Sequence, residues 1–469
     1  MATTELKTNK KQNLVHTSQY IAIQVLKNSG LLLLIAAIIS LILNNTPLHH
    51  DIEHFWESQI TLGFGEKYKV TFTVHYFVNE MLMTLFFVLV GLEIKRELVE
   101  GELSSFRKAL LPVVAALGGM VVPALFYATF NYGGIYSKGW GIPMATDIAF
   151  ALTIISILED KVPSSLKIFL TALAIVDDLG AIIVIALFYS NSVQMTALLE
   201  SLSVWMGIVL MGWYGVRALW LYAVMGFIMW ILFLPSGIHP TIAGVLFAFA
   251  IPMSTKEQTE HFEEKVRELN NLVQKLLTWD KNKNKKDKSI KNQMLERVQA
   301  VSTYIESPLQ NMINQLHGVS GFVVMPLFAF ANAGIYLGNF SFTSLFTPLS
   351  LGIITGLLIG KAIGIFGVSW LFVKIKIADF PTNTTAMQFL GMAFLAGIGF
   401  TMSIFMSDLS FKDAVTNDIA KAAIFVASTL SGIVGLSILK ITCKTEQKLD
   451  NEDVEIISTT EEIQEVYVK

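Results

Sequence analysis

Cysteine is almost absent from this chain of 469 residues, which contains Cys443 alone. A single cysteine excludes an internal disulfide framework and any site built from several thiolates. Charged residues are also scarce, at 15%, compared with roughly 25% in soluble globular proteins. Hydrophobic residues make up 53%. This composition excludes a disordered chain or a coiled coil and does not fit a soluble enzyme. The net charge of -3 gives no indication of a nucleic-acid partner.

The long apolar runs predict membrane spans. No apolar segment followed by a cleavage site lies close behind the N-terminal lysines, so we expect no removable signal peptide. A helix needs roughly 20 mostly apolar residues to cross about 30 Å of hydrocarbon. Twelve windows meet this requirement: 24–44, 72–92, 109–130, 140–158, 168–189, 196–213, 218–234, 237–253, 316–337, 346–373, 385–408 and 418–439. The sequence therefore predicts an all-α polytopic membrane protein with twelve transmembrane helices.

The distribution of Lys and Arg predicts the orientation. An even number of spans places both termini on one side. When the long insert at 254–315 is left out, the cytoplasmic side holds 17 Lys and Arg, with Lys27 of the first span included, and the outer side holds 5, with Lys421 included as part of the last outer loop. Cytoplasmic loops carry this excess in membrane proteins. We therefore expect five regions: a cytoplasmic segment 1–23, spans 1–8 within 24–253, a cytoplasmic insert 254–315, spans 9–12 within 316–442, and an acidic cytoplasmic tail 443–469.

Two segments outside the bilayer have recognisable patterns. The outer segment 45–71 predicts a hairpin around Gly63–Gly65. In the insert, apolar residues recur at helical spacing over 262–276 and 294–305, on either side of a lysine-rich run at 281–288. This pattern predicts a helical hairpin with a basic tip. A solvated loop and a regulatory or membrane-surface role both remain open for it.

Four charged residues lie well inside predicted spans: Asp147, Asp177, Asp178 and Lys361. Each costs roughly 2.5–3.5 kcal/mol at the centre of a membrane helix. Such residues face the bundle interior or a water-filled cavity and mark ion or proton routes. An ion pair that only locks the bundle would explain Lys361 and one aspartate. It leaves the other carboxylates unexplained, and a surplus buried carboxylate must be protonated or hold a cation.

Asp177 and Asp178 are adjacent on one helix, so their side chains point about 100° apart and can border the same crevice. Burial and mutual repulsion favour the protonated form of at least one of them. A carboxyl group that can hold either a proton or a cation is the minimum requirement for proton-coupled cation exchange. Oxygen ligands suit a hard ion such as Na⁺ or Li⁺. No cluster of His or Cys suggests a transition metal, and we expect no cofactor.

Two spans carry features of interrupted helices. Thr146 and Asp147 follow Pro143 in a short span, and Gly397 and Gly399 lie in the middle of another. Interrupted helices in the two halves of a carrier point to a site at the middle of the membrane, where the helix ends carry partial charges. Close packing of helices is the alternative explanation for the glycines.

Eight stretches together resemble the NhaA-type sodium/proton antiporters over about residues 20–442. They are LFFVLVGLEIKREL (85–98), GGMVVPALFYATFNY (118–132), PMATDIAFAL (143–152), LKIFLTALAIVDDLGAIIVIALFY (166–189), GIHPTIAGV (237–245), MPLFAFANAG (325–334), GLLIGK (356–361) and GIGFTMSIF (397–405). The architecture of this family, with its inverted repeats, is an established example of a transporter fold.

The resemblance implies two inverted three-helix repeats, at about 109–189 and 346–439, and two discontinuous helices that cross. It implies that Asp178 binds the cation and that Asp177 pairs with Lys361 in the unloaded state. It places Asp147 and Thr146 at the crossing, where they compensate charge. The activity implied is electrogenic exchange of Na⁺ or Li⁺ for H⁺ by a homodimer in the bacterial inner membrane, serving sodium and pH homeostasis.

The resemblance also implies a pH response. Glu93, Arg96, Glu97 and His239 match residues linked to pH activation, although helix-end anchoring and an interfacial position are alternative explanations. The family usually has basic, acidic and histidine residues in the segment that matches 307–319, and this chain retains only His317 of them. Neutral residues stand at the other positions: Gln310, Asn311, Ile313 and Asn314. A tight pH activation is therefore in doubt, or has moved into the insert.

Other classes of protein remain as alternatives. An intramembrane aspartyl protease needs two aspartates on different helices, whereas here they are adjacent on one helix. A channel does not need carboxyl groups that hold protons. Another proton-coupled carrier of monovalent cations, exchanging K⁺ or carrying Na⁺ by symport, stays open within the carrier class.

Overall fold

The computed structural model describes residues 29–64, 68–158, 161–190, 193–253, 307–336 and 341–443, with 267–268, 271–272 and 297. The described chain is almost entirely helical. In chain order the α-helices are α1 Ser29–Asn44, α2 His49–Glu57, α3 Val74–Val99, α4 Phe106–Asn131, α5 Ile148–Ser156, α6 Ser164–Phe188, α7 Met195–Trp213, α8 Leu219–Phe233, α9 Thr241–Ala250, α10 Pro308–Val319, α11 Met325–Asn332, α12 Pro348–Thr355, α13 Lys361–Lys374, α14 Ala386–Leu395, α15 Phe400–Ser410 and α16 Ala414–Thr442.

Within the described residues, nine helical segments are long and apolar enough to cross a membrane, and the number rises to eleven if each of two bent helix pairs is counted as one span. The pair α14 and α15 bends by 45° at its break. In the remaining predicted span, 237–253, the structure has α9, a shorter apolar helix of ten residues. The prediction of an all-α polytopic membrane protein is confirmed. The segment 1–23 and the tail beyond Cys443 lie outside the described residues.

The ninth span begins earlier than its hydropathy indicates. It was predicted over 316–337, whereas the helical segment runs from Pro308 to Asn332. The Ser307 hydroxyl accepts a hydrogen bond from the Gln310 backbone N–H at 3.0 Å, and Pro308 occupies the first helical position. This start signal lies among neutral polar residues that lower the local hydropathy, so the start of the span was misplaced.

The chain divides into two compact units. The first comprises the chain up to His75, Glu102–Val184 and the part from Met325 onward. It holds both predicted repeats, each made of a long helix, an interrupted helix and another long helix. If all twelve predicted spans cross, the first repeat starts at the third span and the second at the tenth, and the two then run in opposite directions. The inversion stays a prediction.

The long helices that open the two repeats pack backbone to backbone. A Cβ atom added to Gly118 in α4 would lie 2.3 Å from the Gly364 carbonyl oxygen in α13. Only glycine permits this approach, which is typical of membrane helix packing.

The second unit comprises Tyr76–Gly101 and Ile185–Val324. Its apolar core is formed by fully or almost fully buried side chains of five helices, since α3, α7, α8, α9 and α10 each contribute. Representative members are Leu92, Ile208, Tyr222, Phe233, Phe247 and Ile313. Ile313, one of the neutral residues that break the family pattern, therefore has a packing role.

A β-hairpin follows α2, as predicted for 45–71. Strand β1, Gln59–Phe64, pairs antiparallel with β2, Tyr68–Thr73. In the insert, the guanidinium of Arg297 lies 3.3 Å from Glu268 Oε1. The rest of the predicted helical hairpin, including its basic tip, lies outside the described residues.

Candidate ion-binding site

Two interrupted helices meet in the first unit. A 3₁₀ segment, Ser137–Met144, precedes α5, and the chain is not helical at 145–147. Helix α14 ends at Leu395 and α15 begins at Phe400. The two breaks touch, because the Asp147 backbone N–H donates to the Ile398 carbonyl at 2.7 Å. The predicted non-helical segments at Thr146–Asp147 and near Gly399 are therefore both present.

Neighbouring atoms at this crossing lie so close to Gly397 and Gly399 that a larger residue would not fit. A Cβ atom on Gly397 would lie 2.5 Å from the Leu357 carbonyl oxygen. A Cβ atom on Gly399 would lie 3.1 Å from the Ala145 carbonyl oxygen and closer still to the Ser403 hydroxyl. The φ of Gly399 is -92°, which any residue can adopt. Side-chain volume, and not backbone conformation, therefore selects glycine here.

Asp147 caps two helices at once. Its Oδ1 accepts from the Phe150 N–H at 3.1 Å, at the start of α5. Its Oδ2 accepts from the Thr401 N–H at 3.1 Å and from the Thr401 hydroxyl at 2.5 Å, at the start of α15. The side chain is buried. A carboxylate between two helix N-termini neutralises their positive partial charges, as the sequence predicted.

Lys361 provides the opposite charge. Its ammonium group donates to the Met144 carbonyl, at the end of the 3₁₀ segment, and to Asp177 Oδ2 at 2.6 Å. The lysine is 0% exposed. The positive charge therefore lies beside a carbonyl end and beside a carboxylate. This pairing of Lys361 with Asp177 is the one expected for the unloaded state.

The two oxygens of Asp177 have different surroundings. Oδ2 accepts from Lys361 and from the Thr146 hydroxyl, the latter at 2.5 Å. Oδ1 is buried and has no hydrogen-bond partner within the described part of the chain. Asp178, the next residue of α6, is 5% exposed and interacts electrostatically with Lys361. The crossing thus combines a paired carboxylate, an open oxygen and a second acid.

A π-helical turn precedes Lys361 and was not predicted. Residues Gly356–Gly360 form it, and the Lys361 N–H donates to the Gly356 carbonyl, five residues back. A Cβ atom on Gly356 would lie 2.7 Å from Pro143 Cβ. Such turns are frequent at functional sites. The GLLIGK glycines were the available signal, but glycine alone does not distinguish this turn from close packing.

The residues with a predicted pH response lie in the second unit and form separate pairs. Glu93 Oε1 lies 3.1 Å from His317 Nε2. Arg96 and Glu97, neighbours on α3, are joined at 3.2 Å. His239 lies instead 3.5 Å from Glu80.

The sequence reasoning missed three buried or partly buried charged residues: Glu80, Asp408 and Lys421. Glu80 is 8% exposed within α3, and Lys421 is 6% exposed within α16. Lys421 was counted with the last outer loop, but its ammonium group lies 3.1 Å from Asp408 Oδ1. All three residues fall inside predicted span windows, and that position was the signal that could have identified them.

Comparisons with known proteins identify the family of this chain. The sequence pattern of the Na⁺/H⁺ antiporter 1 family matches residues 21–439. The Na(+)/H(+) antiporter NhaA 2 of Clostridium beijerinckii is 42% identical over 424 residues, which cover 90% of this chain and 94% of the relative. The Na(+)/H(+) antiporter NhaA of Wolinella succinogenes is 40% identical over 439 residues, covering 93% and 94%. That of Sulfurimonas denitrificans is 42% identical over 423 residues, covering 89% and 94%. This chain belongs to the Na⁺/H⁺ antiporter 1 family.

Proposed function

We propose that this chain is a secondary active, electrogenic antiporter of the bacterial inner membrane, which expels Na⁺ or Li⁺ in exchange for H⁺. One observation carries the proposal. Asp177 is bound through one oxygen by Lys361 and Thr146, while its other oxygen is buried without a hydrogen-bond partner among the described residues. Family membership and the names of the relatives support Na⁺ and H⁺ as the transported ions.

The charges at the crossing leave one acid to titrate. Asp147 serves two helix N-termini, and Lys361 offsets Asp177. Three buried carboxyl groups therefore face one buried lysine at the crossing. Because burial disfavours surplus negative charge, we propose that Asp178 carries a proton when the site is empty.

A cation can replace Lys361 as the partner of Asp177. At 2.6 Å, two unit charges attract by about 6 kcal/mol at an effective dielectric constant of about 20. Removing the two charges from water costs several kcal/mol per ion. Because gain and cost are similar, a cation that coordinates Asp177 can compete with the lysine.

The exchange follows from these groups. A dehydrated Na⁺ binds the open oxygen of Asp177 and the carboxylate of Asp178, which releases its proton. Lys361, separated from its counterion in an apolar setting, releases a second proton. Two protons leave for one Na⁺, so each cycle moves net charge. The Thr146 hydroxyl has one hydrogen and two acceptors, Asp177 Oδ2 and the Ala396 carbonyl at 3.0 Å. If the Thr146 hydroxyl donated its hydrogen to the Ala396 carbonyl instead of to Asp177, the Thr146 oxygen could accept the cation.

Sodium-dependent proton flux in proteoliposomes tests this function across roughly pH 6 to pH 9. We expect flux in the parent and none in Asp178→Asn. The matched control is Asp413→Asn, which removes an exposed acid and should leave flux unchanged. Sodium moving in the same direction as protons would establish symport, and proton flux driven only by potassium would establish potassium exchange. No flux with Na⁺, Li⁺ or K⁺ in folded protein would refute the proposal.

The pH response is proposed for the pairs in the second unit. Glu93 and His317 lie 3.1 Å apart, and histidine changes charge between pH 5 and 8. Arg96 and Glu97 extend this group along α3, and His239 forms a separate group with Glu80. Replacing His317 by Gln should shift the pH–activity curve. An unchanged curve would remove this pair from the response.

Orientation and oligomeric state are part of the same proposal. The Lys and Arg count supports cytoplasmic termini, and tags at either end that are protease-protected in right-side-out vesicles would agree. Strands β1 and β2 form a two-stranded sheet, and the edge of a sheet can pair with a second copy of a chain. We propose a homodimer through this hairpin. Deletion of 59–73 should yield monomers, and intact dimers after deletion would place the interface elsewhere.

A further inference from the structure

Helix α15 starts after a residue that cannot cap it. Its N-cap position is Gly399, which has no side chain to accept a hydrogen bond from the first turn. Serine, threonine, aspartate and asparagine are the residues that usually provide this bond. A Cβ atom at Gly399 would lie 3.1 Å from the Ala145 carbonyl oxygen and 3.0 Å from Leu357 Cδ2, so the space for a capping side chain is already occupied. The first N–H groups of α15 therefore need acceptors from other segments.

The other interrupted helix differs in this respect. Helix α5 is capped by Asp147, which is its own N-cap residue and accepts from the Phe150 N–H. The same carboxylate also accepts from the Thr401 N–H of α15 at 3.1 Å. This one side chain thus serves an N–H group in each helix, and the Phe400 N–H at the very start of α15 needs another acceptor.

That acceptor is a hydroxyl group of α16. The Ser428 Oγ accepts from the Phe400 N–H at 3.2 Å. Ser428 is 6% exposed, so water has little access to replace it. Loss of the hydroxyl would leave a buried backbone donor without this acceptor, which is costly. Ser428 therefore provides, from a different helix, the cap that Gly399 cannot provide.

The first turn of α15 is connected to the proposed exchange site. The Thr401 hydroxyl donates to Asp147 Oδ2 at 2.5 Å. The Asp147 backbone N–H donates to the Ile398 carbonyl, just before α15, at 2.7 Å. Thr146, the residue before Asp147, donates through its hydroxyl to Asp177 Oδ2 at 2.5 Å. A displacement of the first turn would therefore reach Asp177 through two adjacent residues.

We propose that Ser428 is a positioning residue for cation binding, which holds the first turn of α15 so that Thr401 stays hydrogen-bonded to Asp147. The hydroxyl is neutral and therefore fixes this turn without adding a further carboxylate to the crossing. Without it, the turn populates arrangements in which Thr401 and Asp147 are apart. The apparent affinity for a cation then falls with the fraction of molecules that keep an intact site. The cap itself is independent of the proposed function, whereas its effect on Na⁺ affinity rests on it.

The test compares Ser428→Ala with the parent in two measurements. Alanine has a higher helix propensity than serine, so a weakened α16 would not explain a defect. In proteoliposomes, the Na⁺ concentration for half-maximal flux should rise about three- to tenfold, as expected for loss of one hydrogen bond. Flux at saturating Na⁺ should change less. In hydrogen-exchange measurements on the purified protein, the amides of Phe400 and Thr401 should lose protection.

Three further variants distinguish positioning from general damage to α16. Ser428→Thr keeps a hydroxyl and should recover most of the parent's Na⁺ affinity. Ser437→Ala removes an exposed hydroxyl that donates to the Ile433 carbonyl of the same helix, and should change neither measurement. Ser431→Ala removes a fully buried hydroxyl without a hydrogen-bond partner among the described residues, and should also leave both measurements unchanged.

The two measurements separate the possible failures. Parent-like amide protection in Ser428→Ala would overturn the cap. Lost protection with an unchanged half-maximal Na⁺ concentration would overturn the positioning role, as would an equal rise in Ser431→Ala. Because hydrogen exchange needs no transport, it decides whether Ser428 caps α15 even if the parent exchanges no ions.

Discussion

Lys361 and Asp177 form a 2.6 Å ion pair in which neither side chain reaches water. The lysine extends from the end of a π-helical turn, and the aspartate lies in the middle of α6. In the proposed mechanism, the lysine is both the counterion of the empty site and a source of one proton. Several measurable consequences follow from it and from the contacts around it.

Replacing Lys361 by Ala should change the stoichiometry. Without the lysine, Asp177 must be neutralised by a proton, and Na⁺ then displaces one proton, from Asp178, while Asp177 keeps its own. We expect exchange that no longer responds to an imposed membrane potential. Leaving a buried charge unpaired costs about 3–5 kcal/mol, so unfolding should be measured in parallel. Voltage-dependent exchange in a folded Lys361→Ala variant would contradict the assignment of the second proton to this residue.

Replacing Asp147 by Ala removes the cap shared by α5 and α15. Each lost cap costs roughly 0.5–2 kcal/mol, so we expect a clear fall in the unfolding temperature together with loss of exchange. Asp147→Asn keeps an acceptor oxygen but not the charge, and should recover more stability than activity. Equal recovery of both would show that only the hydrogen bonds matter.

Gly397→Ala should destabilise the crossing, because its Cβ would lie 2.5 Å from a backbone oxygen of Leu357. Forced displacement of packed segments typically costs 1–3 kcal/mol. The matched control is Gly318→Ala, a helical glycine whose added Cβ would have nothing within 4 Å. That variant should be neutral or slightly more stable. Similar unfolding temperatures for the two variants would contradict the close approach at Gly397.

The Lys421–Asp408 pair should matter for stability and not for exchange. Lys421→Ala leaves a carboxylate with little access to water and should destabilise the protein by a few kcal/mol. The double variant Lys421→Met with Asp408→Leu should recover much of that loss. Flux per folded molecule should be unchanged in both. A flux defect in the double variant would place this pair on an ion route.

The stability of the first turn of α16 should depend on pH through the carboxyl group of Asp413. Hydrogen bonds from the Thr416 hydroxyl and N–H lower the pKa of this exposed carboxyl group. A lowered pKa stabilises the fold above the unfolded-state value, and this contribution is lost as pH falls through the folded-state value. Protection of the Thr416 amide from hydrogen exchange should therefore fall under acidic conditions. Asp413→Ala should show low protection at every pH, and a parent-like response in that variant would contradict the cap.

The sequence predicted the spans and the four central charges because these depend on local features. A run of twenty apolar residues needs no partner to be recognised, and a charge within it is conspicuous. The pairing of Lys361 with Asp177, by contrast, came from the family resemblance. Residue patterns alone showed a surplus of acid but could not choose the partner.

Contacts between distant segments could not be predicted. Gly356, the first residue of the π-helical turn before Lys361, lies close to Pro143, more than two hundred residues earlier. Glu80 was overlooked because its importance comes from His239, which is distant in sequence. The ninth span was misplaced because Ser307 and Pro308 start a helix among polar residues, and hydropathy does not measure helix capping.

The most direct test of the account counts protons released when Na⁺ binds. Purified protein in weakly buffered detergent solution is titrated with NaCl, and the pH change gives the protons displaced per ion. The account predicts two protons per Na⁺ for the parent, one for Lys361→Ala and none for Asp178→Asn. Sodium binding to the parent without any proton release would contradict competition between cation and protons at Asp177 and Asp178.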